Sequence, residues 1–187
     1  MKTFIAAAAL LLGPAAFAGV IAGKVDATPA KYLAETIVYV EKAPGTFPPK
    51  EHKMDQKGMK FVPHLVTVTA GDTVDFLNSD GVDHNVYSPD NEGFNLGMIG
   101  SKKEGKHLFA KPGTYSELCS VHPEMLAYVF VGQNPYAAAV GKDGEYKIEG
   151  VPPGQYTVSV WNSHLKAKGA SVTVGEGKAE ANFSVKR

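Results

Sequence analysis

The sequence predicts an all-β chain built as two β-sandwiches, one inserted into the other, and three observations carry that expectation. Short runs of alternating Val, Thr, Tyr and Phe recur along most of the 187 residues, each bounded by Gly, Pro, Asp or Asn. Turn signals are explicit at Ala70-Gly71-Asp72, Asp143-Gly144, Pro152-Pro153-Gly154 and Gly175-Glu176-Gly177. Proline-bearing breaks at 43–49 (APGTFPP) and at Gln133-Asn134-Pro135 divide the strands into three groups. A dozen or so short strands in this space imply sandwiches or barrels.

In chain order, residues 1–18 (MKTFIAAAALLLGPAAFA) come first. They carry one lysine, an apolar run from Phe4 to Leu12, a break at Pro14 and small residues before Gly19. This is the pattern of an export signal cleaved after Ala18, too short to span a bilayer. The mature protein is therefore expected in the periplasm or secreted, without stable membrane insertion. Candidate strands follow at Val20–Val25, Thr36–Glu41, His64–Thr69, Thr73–Asn78, His84–Ser88, Lys106–Ala110, Thr114–Cys119 and Leu126–Val131. Five more lie at Tyr136–Val140, Glu145–Glu149, Gln155–Trp161, Ala170–Val174 and Ala181–Val185. Only 28–34 suggests a helical turn, with Thr28 as N-cap and Pro29 at the first helical position.

The strands after Tyr136 are a thin basis for a core of their own. Residues 19–44 offer two more, so 19–44 plus 134–187 read as one discontinuous sandwich carrying a second β-domain at 50–132. A sequential pair of domains divided near 132 is the alternative. Nineteen basic and nineteen acidic residues give a formal charge of zero, and there is no basic run. Nucleic acid is not an expected partner of such a chain.

An exported chain usually pairs its cysteines, yet Cys119 is alone and can form no internal disulfide. By itself it would read as a small buried hydrophobe. It stands, however, in Cys119-Ser-Val-His122-Pro-Glu-Met125, about 35 residues after His84 opens a candidate strand. A thiolate, two imidazoles and a thioether are the donors of a blue-copper site. A cysteine closing one strand and a methionine opening the next bring both sulfurs to one end of a sandwich. Read singly, Met125 also suits a core position, and His84 a turn. His52, Met54, Met59 and His64 raise the question of a second patch preferring Cu(I). Met98 suits either the copper end or simple packing. His107 and His164 have no partners nearby in sequence and read as surface residues. Tyr156 shares a strand face with Val158 and Val160 and belongs in a core, whereas Trp161 falls on the opposite face, under a neighbouring segment.

Residues 50–132 resemble the cupredoxins, the plastocyanin, pseudoazurin and amicyanin family. The motifs that carry this are Phe61-Val-Pro63, Val68-Thr-Ala-Gly-Asp-Thr-Val74, Phe76-Leu-Asn78, His84-Asn-Val86, Gly113-Thr-Tyr115 and the Cys119–Met125 loop. The short gap before Met125 is similar to that of amicyanin. The resemblance implies a Greek-key β-sandwich with one type 1 copper, His84, Cys119 and His122 equatorial and Met125 axial. It also implies that Asn85 braces the cysteine loop through Ser120, with Pro123 beside the exposed histidine. The outer block resembles a small transthyretin-like or Ig-like sandwich of the carboxypeptidase-regulatory type. Gly150-Val-Pro-Pro-Gly-Gln-Tyr-Thr-Val158, Gly23-Lys-Val25 and Ile37-Val-Tyr-Val40 carry that likeness. The combination is similar to exported plastocyanin-like proteins of the methylamine-utilisation type.

No catalytic constellation is visible, so the expected function is one-electron transport rather than enzymatic turnover. The partners implied are exported redox proteins such as a cytochrome, dehydrogenase or oxidase. Two other readings stay open: a periplasmic carrier that delivers Cu(I), and a redox head on a structural or glycan-binding sandwich.

Overall fold

The computed structural model describes residues 18–187, so the export signal read at 1–18 lies outside the described residues except for Ala18. The chain runs through β1 (Gly19–Thr28), a 3₁₀ turn (Ala30–Glu35), β2 (Thr36–Val40), β3 (Glu51–Gln56), β4 (Phe61–Val62), β5 (Leu65–Thr69) and β6 (Thr73–Asn78). Next come β7 (His84–Ser88), β8 (Phe94–Ile99), β9 (Glu104–Leu108), β10 (Gly113–Leu118) and β11 (Leu126–Gly132). The last strands are β12 (Ala137–Ala139), β13 (Glu145–Val151), β14 (Gly154–Asn162), β15 (Ala170–Val174), β16 (Lys178–Glu180) and β17 (Phe183–Lys186). The chain is thus nearly all β, as the alternation implied. Among the described residues no helix is long and apolar enough to cross a membrane.

Four sheets enclose two hydrophobic cores. A sheet of order β4-β3-β6-β9 and a five-stranded sheet of order β5-β11-β10-β7-β8 share a core of Met54, Phe76, Val86, Tyr115, Val129 and their neighbours. The inward residues follow strand periodicity: Tyr115 and Glu117 on β10, Ala127, Val129 and Val131 on β11. The other pair, β13-β1-β16 with β17 also on β1, and β12-β2-β14-β15, closes over Ile21, Val38, Ile148, Tyr156, Val158 and Val174. Tyr156 is therefore a core residue. Trp161 faces away from that core and meets Tyr128 and Phe130 of β11, with ring centroids 5.3 and 6.5 Å apart.

The crossing between the two cores is tightly bonded. Asn134 is buried, and its side-chain amide donates to the Val40 carbonyl (3.0 Å) while its oxygen accepts the Tyr136 N–H (3.0 Å). The Val40 N–H in turn donates to the Tyr136 carbonyl at 2.9 Å.

Strands β3, β4, β8 and β16 escaped the sequence pattern for a common reason: they are polar, glycine-bearing or very short. In Glu51-His-Lys-Met-Asp-Gln56 no residue is β-branched or aromatic, yet β3 pairs in parallel with β6 from Glu51↔Thr73 through Gln56↔Asn78. Backbone pairing with a strong neighbour, rather than propensity, makes it a strand. The helical turn also differs from expectation: Thr28 belongs to β1, Pro29 takes the N-cap position, and no side chain caps the turn.

Two interior polar groups are unusual. Glu117 is fully buried with neither carboxylate oxygen partnered, and burial holds its carboxyl well above the usual range. His107 is not the surface residue that its sequence neighbourhood implied. Its ring stacks on Phe94 (centroids 3.7 Å, planes 13° apart) and meets Phe109 edge-on at 4.7 Å. Its buried Nε2 has no partner, and burial depresses its pKa.

The sign of the resulting pH effect follows from proton counting. Below the ordinary value of 6.5 the unfolded chain takes up a proton on this ring that the folded ring resists, so stability falls as pH falls. Replacing His107 by Phe should remove that component. Melting temperatures measured from pH 8 to about 5 are expected to decline less steeply in the variant.

Candidate metal centre

Strand pairing alone brings the ligand candidates to one place. β10 runs antiparallel to both β7 and β11, with Leu118 opposite Tyr87 and also opposite Leu126. The start of β7, the end of β10 and the start of β11 therefore meet at the same end of the sandwich. His84 is the first residue of β7, Cys119 follows β10, and Met125 precedes β11. The loop between the last two is closed by a turn in which the Met125 N–H donates to the His122 carbonyl at 3.0 Å.

His84 and Cys119 are buried and His122 is partly exposed. The Nδ1 atoms of the two imidazoles are 3.0 Å apart, and His122 Nδ1 is 3.8 Å from Cys119 Sγ. One ligand atom from each of the three lies within 4.8 Å of the others, and no other trio of His, Cys, Asp or Glu among the described residues is that close. Donors bound to one transition ion at about 2.0–2.3 Å sit at such separations. Met125 is 1% exposed and packs in the same core as Cys119.

The groups behind these atoms fix their orientation. The Asn85 N–H donates to Cys119 Sγ at 3.3 Å and fixes the position of the sulfur. The Asn85 side-chain oxygen accepts the Ser120 N–H at 3.3 Å, and its amide nitrogen donates to Asn95 Oδ1 and the Gly97 carbonyl, each at 2.9 Å. On the other side, His84 Nε2 contacts Asp80 Oδ2 at 2.9 Å. A carboxylate on that nitrogen favours the proton there and turns Nδ1 toward the cluster, where it lies 3.0 Å from His122 Nδ1.

Asp80 is itself anchored. The Met59 and Gly58 N–H groups donate to its two oxygens at 2.9 and 2.6 Å and, with a smaller contribution from His84, hold its carboxyl below the usual range. Those N–H groups point at Asp80 because Gly58 and Met59 both have positive φ, 65° and 54°, in the turn closed by Lys57 N–H to the Lys60 carbonyl. Asp80 was missed in the sequence, where it and Asp83 are two acids in one polar turn before His84.

Comparison with known families decides the chemistry of this block. Residues 50–132 match the family model of copper binding proteins, plastocyanin/azurin family. This block is a copper-binding cupredoxin domain. Copper is its cofactor, and the His84, Cys119 and His122 cluster lies inside the matched residues. A second model, polysaccharide lyase family 4, domain II, matches residues 127–182. Among solved structures, a proline-to-alanine variant of amicyanin in its oxidised state is 27% identical, with 43% of this chain and 80% of that one covered and a TM-score of 0.41. A purple cupredoxin from Nitrosopumilus maritimus is 26% identical over 43% of this chain and 99% of its own, TM-score 0.40. A copper-containing nitrite reductase from Thermus scotoductus is 25% identical over 51% and 25%, TM-score 0.44. None of the curated proteins compared with the chain matches it.

Around the copper end of the cupredoxin domain, Val82, Val121 and Met98 are about half exposed, and Pro123 is exposed beside His122. Met98 lies opposite Asn85 across the β7–β8 ladder, which puts it at the metal end with its side chain in solvent. His52, Met54, Met59 and His64 do not converge. His52 bonds Asp72 at 2.9 Å, Met54 is fully buried in the core, Met59 is 48% exposed in the turn beside Asp80, and His64 faces Glu35.

Asp80→Ala should free the outer nitrogen of His84 and weaken copper retention by about 10–100-fold. Competition with a chelator of known affinity measures this, and Asp83→Ala in the same turn is expected to leave it unchanged.

Proposed function

We propose that the cupredoxin domain holds one copper through His84, Cys119 and His122, with Met125 as a weak fourth contact, and acts as an exported one-electron carrier. The observation that carries this is the convergence of one thiol and two imidazole Nδ1 atoms at a single buried strand end. Copper bound by such a donor set supplies a one-electron couple between Cu(I) and Cu(II). The chain contributes rigidity. Asp80 holds His84, Asn85 holds both Cys119 and Ser120, and the core around Met125 excludes water.

His122 is the partly exposed member of the trio, flanked by exposed Val121 and Pro123, and it is the point of electron exit. The apolar rim of Val82, Met98 and Val121 suits docking of an exported cytochrome, dehydrogenase or oxidase. Glu124 is the one acid in the Cys119–Met125 loop, so the encounter depends only modestly on salt. The 1–18 composition supports export to the periplasm or beyond. The carrier role is preferred to Cu(I) delivery because the four soft-ligand candidates at 52–64 are dispersed.

The outer sandwich is proposed as a regulatory-like module made of 19–44 plus 134–187, with the cupredoxin domain inserted into it. A hydrophobic cluster drawing on both pieces, from Ile21 to Val185, supports this division.

Two experiments test these proposals. Cu(II) added to the purified protein should give an intense visible thiolate-to-copper absorption that vanishes in Cys119→Ser; a colourless complex overturns the carrier reading. A fragment of residues 134–187 should be unfolded by circular dichroism, because β13 and β14 lose β1 and β2. A cooperative melt from that fragment would refute the discontinuous module.

A further inference from the structure

We propose that Glu35, His64 and His164 form a second metal site, where the two cores meet, for a divalent transition ion such as Zn(II). Glu35 ends the 3₁₀ turn, His164 follows β14, and His64 immediately precedes β5. They are thus remote in sequence and come from both cores.

Each imidazole lies beside one oxygen of the Glu35 carboxylate, yet beyond hydrogen-bond reach of it. His64 Nε2 lies 3.7 Å from Glu35 Oε1, and His164 Nε2 lies 3.6 Å from Glu35 Oε2. Both distances exceed the 2.7–3.2 Å range of about-linear N–H to O bonds. Two donors each about 2.1 Å from one ion are about 3.4 Å apart at a tetrahedral angle. Both rings direct the same nitrogen, Nε2, at one carboxylate. The three atoms are not as close as those of the copper cluster, so binding requires the rings to turn toward each other. Their exposure, 44% and 47% of the side chain, leaves room for that and for water to complete the shell.

Supporting contacts orient each candidate ligand. The Ser163 hydroxyl donates to Glu35 Oε2. Tyr32 packs on the His164 ring, centroids 4.1 Å apart, and Tyr128 meets the His64 ring edge-on at 5.7 Å. Backbone bonds hold the loops: the His164 N–H donates to Asn162 Oδ1 at 2.9 Å, and the His64 carbonyl accepts the Tyr128 N–H at 2.9 Å. Two imidazoles and a carboxylate without sulfur suit Zn(II), Cu(II) or Ni(II) and disfavour Cu(I). The bound ion would clamp the 3₁₀ turn and the loop after β14 to β5, which is itself paired with β11 of the cupredoxin domain.

The site shares no residue with the copper cluster, so its failure and that of the electron-carrier proposal are separate results. Zn(II) is titrated into the copper-loaded full chain by calorimetry, and bound metal is counted after desalting. One zinc per chain is expected, with a rise in melting temperature. Glu35→Gln, His64→Ala and His164→Ala should each weaken it about tenfold or more while leaving the visible copper absorption intact. Absence of zinc binding overturns the proposal and leaves Glu35 a partner in two ion pairs only. Zinc binding that survives in His164→Ala and Glu35→Gln overturns it equally.

Discussion

Asn85 is the residue on which the metal end of the cupredoxin domain depends. Its backbone N–H reaches the Cys119 sulfur, its side-chain oxygen takes the Ser120 N–H, and its amide nitrogen ties down Asn95 and Gly97 on β8. One side chain therefore joins β7, β8 and the segment leaving β10. Buried polar contacts of this kind are costly when half made, since each orphaned donor or acceptor loses its water without replacement. The thiol position is consequently set by strands that were already paired, and the histidines are brought to it by the same pairing. A metal entering this place finds its donors arranged by the sandwich.

The outer contacts follow the same logic from the opposite direction. His84 is fixed at one nitrogen by Asp80, and Asp80 by two backbone N–H groups of a turn between β3 and β4. That turn spends a positive φ on Met59, a non-glycine residue, to aim its N–H groups. The sheet that supplies no ligand thus still determines which face of the His84 ring nitrogen pair is free.

Much of this was legible in the sequence, and the limits have physical causes. Cys119 and His122 were recognisable because a short loop keeps chemically related donors close in the chain, and His84 because it opens a clear strand. β7 and β15 run over the residues their alternation indicated. Asp80 was not legible, because a side-chain contact across a polar turn depends on which of two acids the backbone aims inward. His107 and His164 looked solitary because their partners, Phe94 and Glu35, lie far away in the chain: Phe94 reaches His107 across the packing of two sheets, and the 3₁₀ turn brings Glu35 beside the loop after β14. β3 was hidden for a related reason: its stability lies in its neighbour β6. The soft residues at 52–64 form a group in one dimension only: Met54 enters the core from the middle of β3, His52 near its start bonds Asp72, and Met59 and His64 lie beyond the strand.

The ladder between β2 and β12 has one more implication. Val38 faces Ala138 and Tyr39 faces Ala137 in antiparallel register, the relationship of two arms of a hairpin, with Asn134 locking the crossing to Val40. In place of a short turn stands the whole stretch from β3 to β11. Closing so long a loop as a flexible coil carries an entropic cost that grows with the logarithm of its length. A folded stretch whose two ends already lie side by side removes most of that cost. In the β2–β12 ladder the stretch from β3 to β11 thus stands where the turn of a hairpin would, its two ends already side by side.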